Sequence, residues 1–300
     1  MSVTLYPLLA AILFATNSVL PQIGIVLSVF SPLILLLYFD HPKRVVQTDG
    51  LLLIVIVALG ILNYMLAAYF VISPLFAAVF IRYCVKKRLH TAWLPVTGAA
   101  VLSFVITFAV IYGIPSYRES LVQFTAKALK TFMDAAREAN APMVQSPYFT
   151  EIEKTRTQTA LMLVLMFPAF NYIYTAFSAY VSRRLFQRIK RLPSETFRIP
   201  DVLVWVLILS FALIFTPVLY GRFTGINLAG ALLVLYAFQG FEIVLWWMNR
   251  IRIIPLLKMI IFIFIFSEPP IILFISLVGL FSVWFNFYGK NKSEEQEKSE

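Results

Sequence analysis

A chain of 300 residues that is 60% hydrophobic and 13% charged carries more apolar surface than a water-soluble fold can bury. This excludes a soluble globular domain and, outside the last few residues, a disordered chain. The net charge of +10 falls in short loops beside apolar runs, where it marks helix orientation and anionic headgroups rather than nucleic acid.

The fold class implied is all-α, a polytopic transmembrane helical bundle of about eight to ten crossings at about 20 residues each. The lipid bilayer is therefore the principal partner. One cysteine, Cys84, and two histidines, His41 and His90, permit neither an internal disulfide nor a metal-ligand spacing, so no metal and no cofactor are implied.

In chain order, the first helix is expected over residues 3–19. It lacks a basic leader and reads as a retained anchor rather than a cleaved signal. A turn at Pro21 leads to a second helix over 23–38. A loop at 40–50 with His41, Lys43 and Arg44 follows. The apolar run 51–85 is too long for one crossing and divides at 71–74 into two short helices, the second closed by Arg82, Lys86, Lys87 and Arg88. A fifth span covers 93–112 and stops at Gly113 and Pro115. These helices make an N-terminal block, 1–113.

Residues 114–157 differ. Tyr117, Leu121, Phe124, Ala128 and Phe132 recur at spacings of three and four, which predicts an extracytoplasmic amphipathic helix, on the membrane surface or capping the bundle, between the fifth and sixth spans. Pro142 and Pro147 break it over 141–148. A C-terminal block, 158–289, then holds a sixth helix over 158–181 with a basic extension to Arg191, a seventh over 200–220 and an eighth over 227–248. The last apolar run, 253–288, is interrupted at Glu268, Pro269 and Pro270 and reads as a short or re-entrant arm before a final helix. The tail 290–300 is charged and reads as disordered. With the N-terminus cytoplasmic, most of the 25 Lys and Arg residues collect on the inner side, so both termini are expected inside.

Polar groups inside apolar spans are the pointers to function. Glu242 lies late in the eighth helix and Glu268 at the proline break. For Glu242 the alternatives are a buried binding group or a pair with Arg250. For Glu268 they are a binding group or a solvated turn. Asn171 beside Tyr172, with Asn227, Gln239 and Glu242, has the amide-plus-aromatic composition of a small-molecule pocket. The same residues also suit hydrogen bonds between helices. Ala11 and Ala15 give a small-residue face for helix contact. No phosphate-cradling glycine loop, nucleophile elbow or zinc-helix motif is present, which argues against an enzyme and against a self-contained ATP-driven pump.

Four stretches, FRIPDVLVW at 197–205, GINL at 225–228, YAFQG at 236–240 and GLFSVWFNF at 279–287, resemble the YybS-like family of bacterial polytopic membrane proteins, whose shared domain has no assigned function. Ser282 and Tyr288 stand where the family tends to carry an acid and an Arg. The general plan is in turn similar to substrate-binding subunits of energy-coupling-factor transporters, which dock on a separate ATPase through small-residue faces on the first helix, the position of Ala11 and Ala15. The resemblance implies a multi-pass protein of the bacterial cytoplasmic membrane. Its expected role is a small-molecule-binding or transporter subunit without its own ATPase, working with a membrane or cytoplasmic protein partner. The alternative is a non-transporting scaffold acting through residues 114–157 and the basic loops.

Overall fold

The computed structural model describes residues 3–87, 89, 91–193, 196–285 and 287. The expected tail 290–300, together with Arg88, His90 and Tyr288, lies outside them. Among the described residues all regular structure is helical.

Helix α1 (Leu5–Val19) folds back through Leu20 onto α2 (Pro21–Ser28), and α3 (Ser31–Phe39) follows. The expected single helix over 23–38 is thus two pieces. Pro32, in the first turn of α3, has no N–H to continue the ladder. The Val29 carbonyl at this break instead accepts from Ser178 Oγ at 2.7 Å and Ser182 Oγ at 3.4 Å. Hydroxyls of a later helix thereby satisfy backbone that water cannot reach.

Helix α4 (Val46–Leu62) ends at Asn63, whose side chain accepts from the backbone of Met65 at 2.9 Å and Leu66 at 3.3 Å. This cap starts α5 (Tyr64–Phe70), which runs through a π-turn (Val71–Leu75) into α6 (Phe76–Lys86). The break expected at 71–74 therefore sits at Asn63. An N-cap asparagine ends the ladder cleanly, whereas the π-turn absorbs Pro74 without parting the two helices.

Helix α7 (Trp93–Gly113) matches expectation closely. An extended Ile114 then turns the chain into α8 (Pro115–Glu138). The prolines at 142 and 147 open a 3-10 turn (Pro142–Gln145) and α9 (Pro147–Lys154), so the break over 141–148 is in place. The amphipathic spacing does form a helix, one face of which packs on α7 and α10.

Helix α10 (Arg156–Lys190) takes in both the helix expected over 158–181 and its basic extension, which ends one residue short of Arg191. Arg183 is 3% exposed, so it is a bundle residue and not a loop residue. Arg and Lys are good helix formers and carry the rod through this basic stretch. After α11 (Leu203–Ile214) comes α12 (Leu219–Arg250). Helices α13 (Pro255–Ser267) and α14 (Pro269–Phe281) meet at Glu268 with a bend of 105°.

Among the described residues, four helices can cross a membrane by length and composition: Tyr64–Lys86, Trp93–Gly113, Arg156–Lys190 and Leu219–Arg250. The bent pair α13–α14 makes a fifth if it counts as one span. The shorter apolar helices reach eight or more only if they too span. Helix α11, 12 residues long, rises about 18 Å against roughly 30 Å of hydrocarbon. The chain is a polytopic helical bundle.

The two largest apolar cores share α10. Phe14, Leu35, Phe70 and Ile81 pack with Ala179 and Phe186 of α10, while Leu235, Tyr236 and Phe238 pack with Tyr172 and Ala176. Ala11 is buried in the first core and Ala15 packs against it, so the small-residue face of α1 meets helices of the same chain. Helices α12 and α14 touch backbone to backbone. A Cβ on Gly279 would strike the Tyr236 carbonyl, and one on Gly240 the Ile275 carbonyl.

Candidate functional site

Each of the five polar residues read as pocket candidates is engaged in joining helices. Asn171, on α10, accepts from the Tyr69 hydroxyl of α5 and donates to Ser103 Oγ of α7 at 2.6 Å. One turn on, Thr175 meets Ser73 at 3.0 Å. The two contacts hold α5 and its π-turn parallel to α10. Tyr172 is buried and packs its ring edge-on to Phe104 at 5.8 Å.

Asn227, on α12, accepts from the Ala169 N–H at 2.8 Å and donates to the Leu165 carbonyl at 2.8 Å. In a straight helix that donor and that acceptor would bond to each other. Pro168 lies between them and distorts the ladder. The same amide also donates to the Phe223 carbonyl at 2.7 Å and to Tyr112 Oη at 3.0 Å.

Gln239 accepts from the Ile199 N–H at 2.9 Å and donates to Ser282 Oγ at 2.6 Å, which ties the 196–200 strap and the end of α14 to α12. Glu242 forms an ion pair with Arg184 of α10 and accepts from the Tyr180 hydroxyl at 2.8 Å. Arg250, the partner weighed from sequence, instead lies over the Trp246 ring at 5.3 Å. Glu268 is exposed at the start of α14. Among the described residues no three His, Cys, Asp or Glu side chains converge as metal ligands.

A large open feature lies elsewhere. A cleft of about 1090 Å³ opens between α5, α7, α8 and α10, at the upper end of the volume range of small-molecule sites. Tyr64, Ala68 and Tyr69 form one wall, and Ile106, Thr107 and Val110 another. Ser116, Tyr117, Ser120 and Phe124 line it from α8, and Leu163, Phe167 and Phe170 from α10. From Ile106 to Ile114 it extends about 12 Å along α7 at about 1.5 Å per residue. Among the described residues no Asp, Glu, Lys or Arg lines it.

None of the five sequence-selected residues lines this cleft. Asn171 stands directly behind it, through Tyr69 and through Thr107, whose Oγ1 is 3.4 Å from Asn171 Nδ2. Sequence reading passed over the cleft because its walls are ordinary apolar side chains. One signal was available. The α8 face at 116, 117, 120, 121, 124 and 125 alternates hydroxyls with large apolar groups on a single stripe.

A family model described as a predicted membrane protein (DUF2232) matches residues 8–282. The chain belongs to this family. The match runs from α1 to the residue after α14 and so takes in every wall of the cleft and every polar joint described above. It agrees with the YybS-like resemblance, while the likeness to energy-coupling-factor subunits is no part of it. No curated protein and no solved structure matches the chain.

Proposed function

We propose that this DUF2232 chain is a small-molecule-binding subunit of a bacterial cytoplasmic membrane, with both termini inside, and that the α5/α7/α8/α10 cleft receives an apolar ligand from the bilayer. The single observation that carries the reading is the cleft itself. It is large, uncharged and bordered by exposed Tyr64 and Phe124, at 72% and 71% exposure. A groove bounded by such rings admits a ligand sideways from lipid.

The reading includes no catalytic step and no ATPase, so any transport draws its energy from a separate protein partner. The buried amides and Glu242 act in it as braces that hold the walls apart rather than as direct ligands. The basic helix ends at Lys86, Lys190 and Arg250 favour the cytoplasmic side.

The test is native mass spectrometry of the protein released from lipid nanodiscs. The wild type is expected to retain an apolar adduct that Ala68→Trp, which fills the cleft, no longer holds. Equal retention by both proteins, or by neither, would overturn the assignment. In that case, loss of co-purifying proteins on deleting 115–154 would favour the scaffold role.

A further inference from the structure

We infer that the occupant of the cleft is a long-chain amphiphile with an uncharged, hydrogen-bonding head, seated with that head at the first turns of α8 and its hydrocarbon chain towards Phe170 and Ile72. The inference rests on the cleft reading above and adds the ligand's chemical class and orientation.

The polar atoms of the lining are unevenly available. Deep in the cleft, the Tyr69 hydroxyl donates to Asn171, and Thr107 donates to the Ser103 carbonyl at 2.8 Å. Their protons are engaged by the bundle, so the inner end presents mostly Ile72, Ile106 and Phe170 to a ligand. At the other end, Tyr64, Ser116, Tyr117 and Ser120 gather within the first turns of α5 and α8. The hydrogen bonds there are weak or local: Tyr117 Oη meets the Met65 thioether at 3.8 Å, and Ser120 donates to the Ser116 carbonyl at 3.0 Å. A thioether is a poor acceptor, so a ligand oxygen displaces it readily.

Charge decides the class of head. The cationic residue nearest in sequence, Arg118, is turned away: it donates to the Ile111 carbonyl at 3.2 Å and lies 5.1 Å from the Tyr220 ring centre. Neither it nor Glu119 lines the cleft. An ionised head drawn in there would shed water and meet no countercharge, a costly exchange. A hydroxyl or carbonyl head would exchange water for the serine and tyrosine hydroxyls at little cost. The length fits as well, since about 12 Å of apolar wall accommodates much of a hydrocarbon tail reaching to mid-bilayer.

The experiment is photolabelling in nanodiscs with a diazirine-bearing long-chain alcohol, read by peptide mapping, with unlabelled competitors of the same chain length. The inference expects saturable labelling on α8 and α10 wall peptides that the plain alcohol displaces and the carboxylate and amine do not. Ser116→Ala with Ser120→Ala should weaken displacement by the alcohol about threefold to tenfold. Ser120→Lys should make the carboxylate an effective competitor. If carboxylate or amine displaces the label from the wild type as well as the alcohol does, the uncharged head is wrong and the cleft reading stands. If no labelling of these peptides saturates, both fail.

Discussion

The side chain of Asn227 bridges the rung next to Pro168 in a neighbouring helix. Its carbonyl takes the Ala169 N–H and its amide reaches the Leu165 carbonyl, each at 2.8 Å. In hydrocarbon no water can serve those two groups, so a residue on α12 completes the ladder of α10. Asn227→Leu should therefore cost about 1–3 kcal/mol, above the average for a polar contact between membrane helices. Pro168→Ala restores the 168-to-164 bond and removes the ring that crowds this turn, so α10 can close the adjacent 169-to-165 rung itself, and in the Asn227→Leu background the change should recover much of the loss. The cycle is read by reversible unfolding in mixed micelles. Strict additivity would show that the two residues do not act on the same rung.

The Arg184–Glu242 pair predicts a second non-additive cycle. The side chains are 24% and 10% exposed, so water offsets part of the cost of breaking them. Glu242→Gln should destabilise by about 1–2 kcal/mol, less than for a wholly buried pair. Arg184→Met combined with Glu242→Gln should cost less than the sum of the two single changes. Equal stability of Glu242→Gln and wild type would show that the pair holds nothing together.

Glycines separate into two groups. Gly279 has no room for a Cβ, because the Tyr236 carbonyl occupies its place, whereas nothing lies within 4 Å of a Cβ at Gly50. Gly279→Ala should lower stability by about 1–3 kcal/mol by pushing α14 off α12. Gly50→Ala, in a helix with open space, should be neutral or stabilising by up to about 1 kcal/mol. Thermal unfolding of the two variants decides it, and equal shifts would contradict the close approach.

Orientation is tested with single cysteines in a Cys84→Ala background. Positions 145 and 191 flank the 35-residue helix α10. Gln145→Cys should react with an impermeant maleimide from outside the cell, and Arg191→Cys only after lysis. Labelling of both from the same side would contradict a membrane-crossing α10.

Much of the architecture was legible because hydrocarbon imposes blunt rules. Apolar runs had to be helices, and the prolines at 115, 142 and 147 had to begin or break them. The bounds of α7 were legible to a residue. The sequence misplaced the break at 71–74 because a proline is the louder signal, yet the π-turn tolerates Pro74 while Asn63 caps the next helix. The basic extension of α10 to about Arg191 was legible too, but not that Arg184 within it faces Glu242.

The polar residues were found, but their partners were not, since periodicity shows that a side chain is buried without showing against what. The pairing of Asn227 with the Pro168 rung depends on how α10 and α12 cross, and no local pattern encodes that. The cleft was the least legible feature, because it consists of space between unremarkable side chains on four separate helices.

The most direct measurement of the central claim is a density map of the protein in a lipid nanodisc, with an antibody fragment as fiducial. The wild type should show an elongated non-protein feature between α5, α7, α8 and α10, running from Ser116 and Ser120 towards Phe170, and Ala68→Trp should lack it. A wild-type map with α8 collapsed onto α5, or with only the diffuse lipid found around the rest of the bundle, would contradict the account.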